Sequence, residues 1–251
     1  MDVSVVVLLV VAGFLGGVVN ALAGGATLIT FPAMLAAGLP PIVANASNAV
    51  AIAPGHLLAG LADREKIPAR DREFLRSLIL GAGGGAIGAS FLLALPERLF
   101  VLPVPALIGF ATLLFAISPR LAASAERGRR RQRRLSRFVW LVGSSIYGGF
   151  FGAGLGVILT AVLSIDEPDD LRKVKAQKNV LATAVSLAAV AIFIAEGAVA
   201  WRPTLIMLGG ALAGGYVGGL LIRVLPAAIV RWFVLATGTL MTIVYALRYW
   251  F

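Results

Sequence analysis

The residues able to do chemistry here are glycines and side-chain amides, set in long apolar stretches. Gly24, Gly25 and Thr27 lie in one stretch, and Gly152, Gly154 and Gly156 in another. Glycine lets backbone come close to a ligand. A helix starting at such a point presents unpaired N–H groups and its positive dipole end, a setting that suits an oxyanion. The competing explanation is close helix packing through small residues four apart, which Gly148, Gly152 and Gly156 also satisfy. Asn20, Asn45, Asn48 and Asn179 sit inside or beside apolar runs, and Asn45 and Asn48 share a helical face at i, i+3. An amide donates to an anionic oxygen without permanently neutralising it, which helps release. Asn48 and Asn179 are read as ligand groups; Asn45 is read as interhelical glue.

Gln177, next to Asn179, joins the candidates. Its neighbours Lys175 and Lys178 fit a solvated loop better, although either could draw an anion to a cytoplasmic mouth. His56 is the single histidine, in an apolar helix after Pro54-Gly55; one histidine supports neither a metal cluster nor a proton relay by itself, and a structural place is preferred. The absence of cysteine removes thiolate catalysis, thiolate metal sites and disulfides. All twelve acids fall near the ends of apolar runs or between them, whereas cation-coupled carriers usually hold one in the membrane core. No cofactor is expected. Gly83 to Gly88 matches a dinucleotide glycine pattern but follows a helical run rather than a strand, and no Walker A sequence exists.

The elements that must hold these groups are membrane helices. Of 251 residues, 59% are hydrophobic and 14% charged, against about half and a quarter in soluble domains. Between Asp2 and Asp63 stand 60 positions without a charge. Apolar runs at 3–62, 77–96, 99–119, 138–165, 179–195, 203–222 and 232–247 compare with the ~20 residues a helix needs to cross hydrocarbon. The first run reads as a broken segment (3–37) followed by a helix (45–61), and 138–165 is broken at Gly152 to Gly156. Residues 3–19 with Ala21-Leu22-Ala23 imitate a signal peptide, but no Lys or Arg precedes them, so a retained segment is expected. The net charge of +10 reflects a basic linker: eight of the 22 Lys and Arg lie between Arg120 and Arg137. This is the mark of a cytoplasmic loop, and no nucleic-acid partner is expected.

A shift of 131 positions superposes Gly17 on Gly148, Gly25 on Gly156, Asn48 on Asn179, Gly83 on Gly214, Gly84 on Gly215 and Gly88 on Gly219. The chain therefore divides into a membrane repeat at 1–118, a basic linker at 119–131 and a second membrane repeat at 132–251. With odd crossings in each half, the basic loops place nineteen Lys and Arg inside, leaving Arg98, Arg202 and Arg248 outside. The expected fold is all-α and polytopic: two inverted repeats, each a broken, re-entrant Gly-rich hairpin plus three spanning helices. Such repeats with broken helices recur in secondary transporters. The two hairpins would bring residues 20–30 and 150–160 together. The paired glycines at 83–88 and 214–219 read as a packing seam.

The run Gly16-Gly17-Val18-Val19-Asn20-Ala21-Leu22-Ala23-Gly24-Gly25-Ala26-Thr27, with Phe31-Pro32, Gly38-Leu39-Pro40-Pro41 and Ala44-Asn45-Ala46-Ser47-Asn48, resembles the opening signature of the sulfite exporter TauE/SafE family. Gly148-Gly149, Gly152-Ala153-Gly154 and Ala176-Gln177-Lys178-Asn179 echo it. Ala26 departs from it, standing where the family often continues the glycine run. The resemblance implies an inner-membrane carrier of sulfite, thiosulfate or organosulfonates. A thiol relay, which some thiosulfate-importing relatives look built around, is excluded by the lack of cysteine. Asn20, Gly24, Gly25, Thr27, Asn48, Gly152, Gly154, Gly156, Gln177 and Asn179 form the candidate substrate site. Export is the expected direction, and a passive anion channel or an uptake carrier is the alternative. The partners are the small anion, the bilayer and, where the glycine seams pack between protomers, a second copy of the chain.

Overall fold

The computed structural model describes residues 1–22, 24–62, 72–127, 134–164, 171–221 and 226–251. Ala23, linker residues 128–131, Glu65, the acids at 166–170 and the side chains of 119–127 and of Lys175 fall outside the described residues. Helices form everything regular among the described residues. The first half holds α1 (Val3–Leu22), α2 (Thr27–Ala36), α3 (Pro41–Ala62), α4 (Arg72–Ala94), a short α5 (Glu97–Val101) and α6 (Val104–Arg127). The second holds α7 (Arg134–Phe150), α8 (Leu155–Ser164), α9 (Leu171–Ala195), α10 (Trp201–Leu221) and α11 (Ala227–Tyr249). Pro96 and Pro226 stand immediately before α5 and α11, where a missing N–H costs nothing.

Six helices among the described residues are long and apolar enough to cross a bilayer: α1, α4, α5 with the first part of α6, α9, α10 and α11. Their outer faces carry large apolar side chains such as Phe91, Leu113, Tyr216 and Leu247, all exposed. In water such a surface would aggregate; in lipid it is the solvated face. All four tryptophans are exposed, and Trp201 and Trp250 stand at helix ends, as residues at membrane–water interfaces do.

One feature differs from the sequence expectation. The 20 residues of α1 are about 30 Å of helix, long enough for a full crossing and longer than the half-helix expected of a hairpin; α2, with 10 residues, is the partial helix. The expected helix at 45–61 lies within α3, which has 22 residues and carries Asn45, Ser47, Asn48 and His56 in its apolar run.

The packing repeats with the two halves exchanged. The most extensive helix pair is α1 with α10, followed by α7 with α4, in which each member is the 131-residue counterpart of the other pair's. In the first pair Gly13 faces Met207 and Ala211, Gly17 faces Ala211 and Gly215, Gly214 faces Phe14, and Gly218 faces Val18. The numbers rise together, so α1 and α10 run parallel. So do α4 and α7, where Gly84 faces Val142 and Ser145 and Gly88 faces Ile146 and Phe150.

Counterpart helices that touch run in opposite directions. Along α6 and α11, Thr112 meets Gly238 and Gly109 meets Thr242. Near the ends, the Arg231 guanidinium donates to the Ala116 carbonyl (2.6 Å) and the Trp250 indole to the Leu102 carbonyl (2.8 Å). Between α3 and α9, the Ser47 hydroxyl accepts the Ala200 amide (2.9 Å) just beyond the end of α9. Nearer the start of α9, Lys178 is within electrostatic reach of His56.

The glycine seam exists at adjusted positions. A Cβ on Gly88 would fall on the Ile146 carbonyl and one on Gly214 on the Phe14 carbonyl, whereas Gly83, Gly215 and Gly219 face open space. A helix turns only one face to its neighbour, so of each glycine cluster only the residues on that face can carry the packing.

Candidate functional site at the two helix breaks

The chain between α1 and α2 turns at Gly24, whose φ of +77° is left-handed. The break between α7 and α8 contains two such residues, Gly152 (φ +80°) and Gly154 (φ +81°). A side chain in this conformation costs about 1–2 kcal/mol, so these three positions call for glycine on backbone grounds alone. Gly24 would meet nothing with a Cβ, and Gly152 would meet only the Gly148 carbonyl of its own segment. Close packing therefore accounts for Gly148, whose Cβ would press on Leu155 and Val185, but not for Gly24 or Gly152.

Broken backbone inside a membrane needs partners, since each unsatisfied group costs several kcal/mol. The second break receives them from side chains: the Tyr147 hydroxyl donates to the Ala153 carbonyl (2.7 Å), and the Asn45 amide donates to the Phe150 carbonyl (2.9 Å). Asn45 thus pins α3 to the last residue of α7, the structural role expected of it. Phe151 stacks edge-on against Phe31 of α2, with ring centres 5.2 Å apart. On the first side, α2 starts at Ala26 without a side-chain cap. The Tyr245 hydroxyl of α11 donates to the Pro32 carbonyl (3.0 Å), tying α2 in place. Glu97 accepts the amide of Ile42 (2.8 Å) and so holds the start of α3.

The two breaks meet. One cavity is lined by Asn20, Gly24, Gly25, Ala26, Thr27, Leu28, Ile52, His56, Gly152, Ala153, Gly154 and Gly156. Seven of the ten candidate residues therefore share it. Its volume is only about 10 Å³, room for about one water, so the conformation seen is a closed one. A larger recess of about 530 Å³ between α1 and α10 has no polar side chain in its lining and offers an anion nothing.

Asn48, Gln177 and Asn179 are buried but do not line the cavity. The Asn48 and Asn45 amide oxygens are buried without a hydrogen-bond partner, an arrangement costing about 1–3 kcal/mol per group. Asn179 offers its carbonyl to the Thr183 hydroxyl (2.8 Å). His56, read from sequence as structural, lies on the cavity wall, beside a Gly55 that touches the Asn20 amide. Its place after the Pro54-Gly55 step was the available signal, and no sequence rule distinguishes a wall-facing histidine from a buried one. Lys178, read as a loop residue, belongs to α9, and its side chain approaches Gly156.

The model of the family described as "Sulfite exporter TauE/SafE" matches residues 9–245. The chain belongs to the TauE/SafE family. Among relatives, a "Probable membrane transporter protein" of Haemophilus influenzae is 28% identical over 246 residues, covering 96% of this chain and 95% of that one. The "Probable membrane transporter protein ORF9" of a Sinorhizobium species is 28% identical over 84% of this chain and 80% of its own. The "Probable membrane transporter protein YfcA" of Escherichia coli K12 is 27% identical, covering 83% and 77%. No solved structure matches the chain. This TauE/SafE member is a membrane transporter by family.

Proposed function

We propose that this TauE/SafE protein is a secondary carrier of sulfur-containing oxyanions, sulfite or an organosulfonate, exporting them across the bacterial cytoplasmic membrane by alternating access. The observation that carries the reading is the convergence of both glycine breaks on one cavity. The membrane potential drives a departing anion by about 2.3 kcal/mol per charge per 100 mV, so export needs no coupled ion. The site is Asn20, Gly24, Gly25, Thr27, Gly152, Gly154 and Gly156, with Asn48, Gln177 and Asn179 drawn in when the cavity widens.

The two halves are inverted with respect to the membrane. Support comes from the antiparallel course of α6 and α11, which are repeat counterparts, and from the parallel course of α1 and α10. These directions agree with the face assignment that gathers nineteen Lys and Arg on the inside. Because the chain has no cysteine, Asp2→Cys and Asp169→Cys each introduce a single thiol. An impermeant maleimide applied to intact cells is expected to label the first and not the second; labelling of both from one side rules the inversion out.

Transport itself is tested with purified protein in liposomes. Preloaded sulfite should drive counterflow of labelled sulfite, with saturable kinetics. Linear, non-exchanging flux would instead identify a channel. Asn48→Ala and Asn179→Ala are expected to weaken sulfur-anion binding, and unchanged affinity for every sulfur oxyanion removes them from the site.

A further inference from the structure

We propose that Lys178 supplies the fixed positive charge of the anion site. This rests on the carrier reading above and adds to it a residue and an asymmetry. Lys178 is half-buried on α9. Its Cδ and Nζ lie 3.7 and 3.9 Å from where a Cβ on Gly156 would stand. Gly156 lines the cavity, and His56 on the same wall is within electrostatic reach of the Lys178 ammonium. The end of the lysine side chain thus lies within van der Waals range of the Cβ position of a cavity-lining residue. A lysine is suited to this place because its long apolar stem packs while the ammonium stays at the polar end. In surroundings of low dielectric its attraction for an anion is several times what it would be in water.

The repeat-related position in the other half supplies no equivalent. The 131-residue counterpart of Lys178 is Ser47, whose hydroxyl is engaged with the Ala200 amide. The counterpart of Gly156 is Gly25, which faces Phe115 and Val234. At this repeat-related pair the charge therefore enters from the second half, while the first half contributes glycine backbone, Thr27 and Asn20.

The test uses the cysteine-free background. Wild type, Lys178→Gln, Lys178→Arg and Lys178→Cys are compared by the rise in thermal transition with sulfite, thiosulfate, ethanesulfonate, sulfate and nitrate. Lys178→Cys is measured before and after aminoethylation with 2-bromoethylamine, excess reagent removed. In that reaction the thiolate sulfur displaces bromide, forming a thioether that carries an ammonium at nearly lysine length. Lys178→Gln is expected to weaken anion affinity by about tenfold or more, the effect of losing a charge-assisted contact. Lys178→Arg should retain most of it, and aminoethylation should restore the response in Lys178→Cys. Should Lys178→Gln fail to fold, the treated and untreated cysteine protein still decide the matter. Equal affinity with and without the charge overturns the proposal and leaves the carrier reading standing. A lysine-dependent response to sulfate or nitrate but to no other sulfur anion upholds Lys178 and overturns the export substrate. No response to any anion in wild type overturns both.

Discussion

Gly88→Leu and Gly214→Leu are expected to abolish the folded protein, with no monodisperse material in detergent and no cooperative thermal transition. At each position even a Cβ would coincide with a carbonyl oxygen of the partner helix, Ile146 in one case and Phe14 in the other. Backbone cannot step aside as a side-chain tip can. Overpacking in ordinary cores costs about 1–3 kcal/mol, and here the whole α4–α7 or α1–α10 pair must separate along its length. Lipid provides no compensating hydrophobic drive, because tails are as apolar as leucine. Gly83→Leu and Gly219→Leu are the controls: both glycines are exposed and face open space, and each variant should keep its thermal transition within a few degrees of wild type. Loss of fold in the controls, or survival of Gly88→Leu, would refute the seam.

The second large effect is functional. Gly154→Ala should lower transport at least tenfold while the protein still folds. Its φ of +81° imposes about 1–2 kcal/mol on alanine, and the residue lies where both breaks line the cavity. A penalty of that size leaves a membrane protein folded but shifts the backbone groups that face the anion, and small displacements at a binding constellation cost large factors. Gly24→Ala should behave similarly, because its Cβ would meet nothing and only the backbone angle objects. Measuring counterflow beside the thermal transition separates the two effects. A parallel loss of both would make these glycines purely structural.

The closed cavity bears on mechanism. On the proposed carrier reading, a space of about 10 Å³ is too small for a sulfur oxyanion, and the cavity must widen for one to bind. The two short helices beside the breaks, α2 and α8, are 10 residues each and are tied to their neighbours by packing and by hydrogen bonds such as Tyr245 to Pro32 and Tyr147 to Ala153. The long α1–α10 and α4–α7 pairs, joined backbone to backbone, form the frame.

Much of this was legible in the amino-acid order. Apolar run lengths marked the helices, because hydrocarbon thickness sets a length that no soluble element needs. Both helix breaks were visible as glycine clusters, and the halves as a 131-residue echo of glycine and asparagine. Family membership followed from residues 16–48. What only the tertiary structure decided was which side of each helix does what. Glycines one position apart, Gly83 and Gly84, divide between lipid and seam according to a rotation of about 100°. Asn45 became a clamp on Phe150 through its amide nitrogen, a role invisible at i, i+3 spacing, while its amide oxygen, like that of Asn48, stays unpaired. His56 and Lys178 reach the cavity region through the meeting of α3, α8 and α9. Periodicity fixes neighbours within a helix; contacts between helices far apart in sequence depend on how their surfaces pack, and that is settled only when the whole chain is folded.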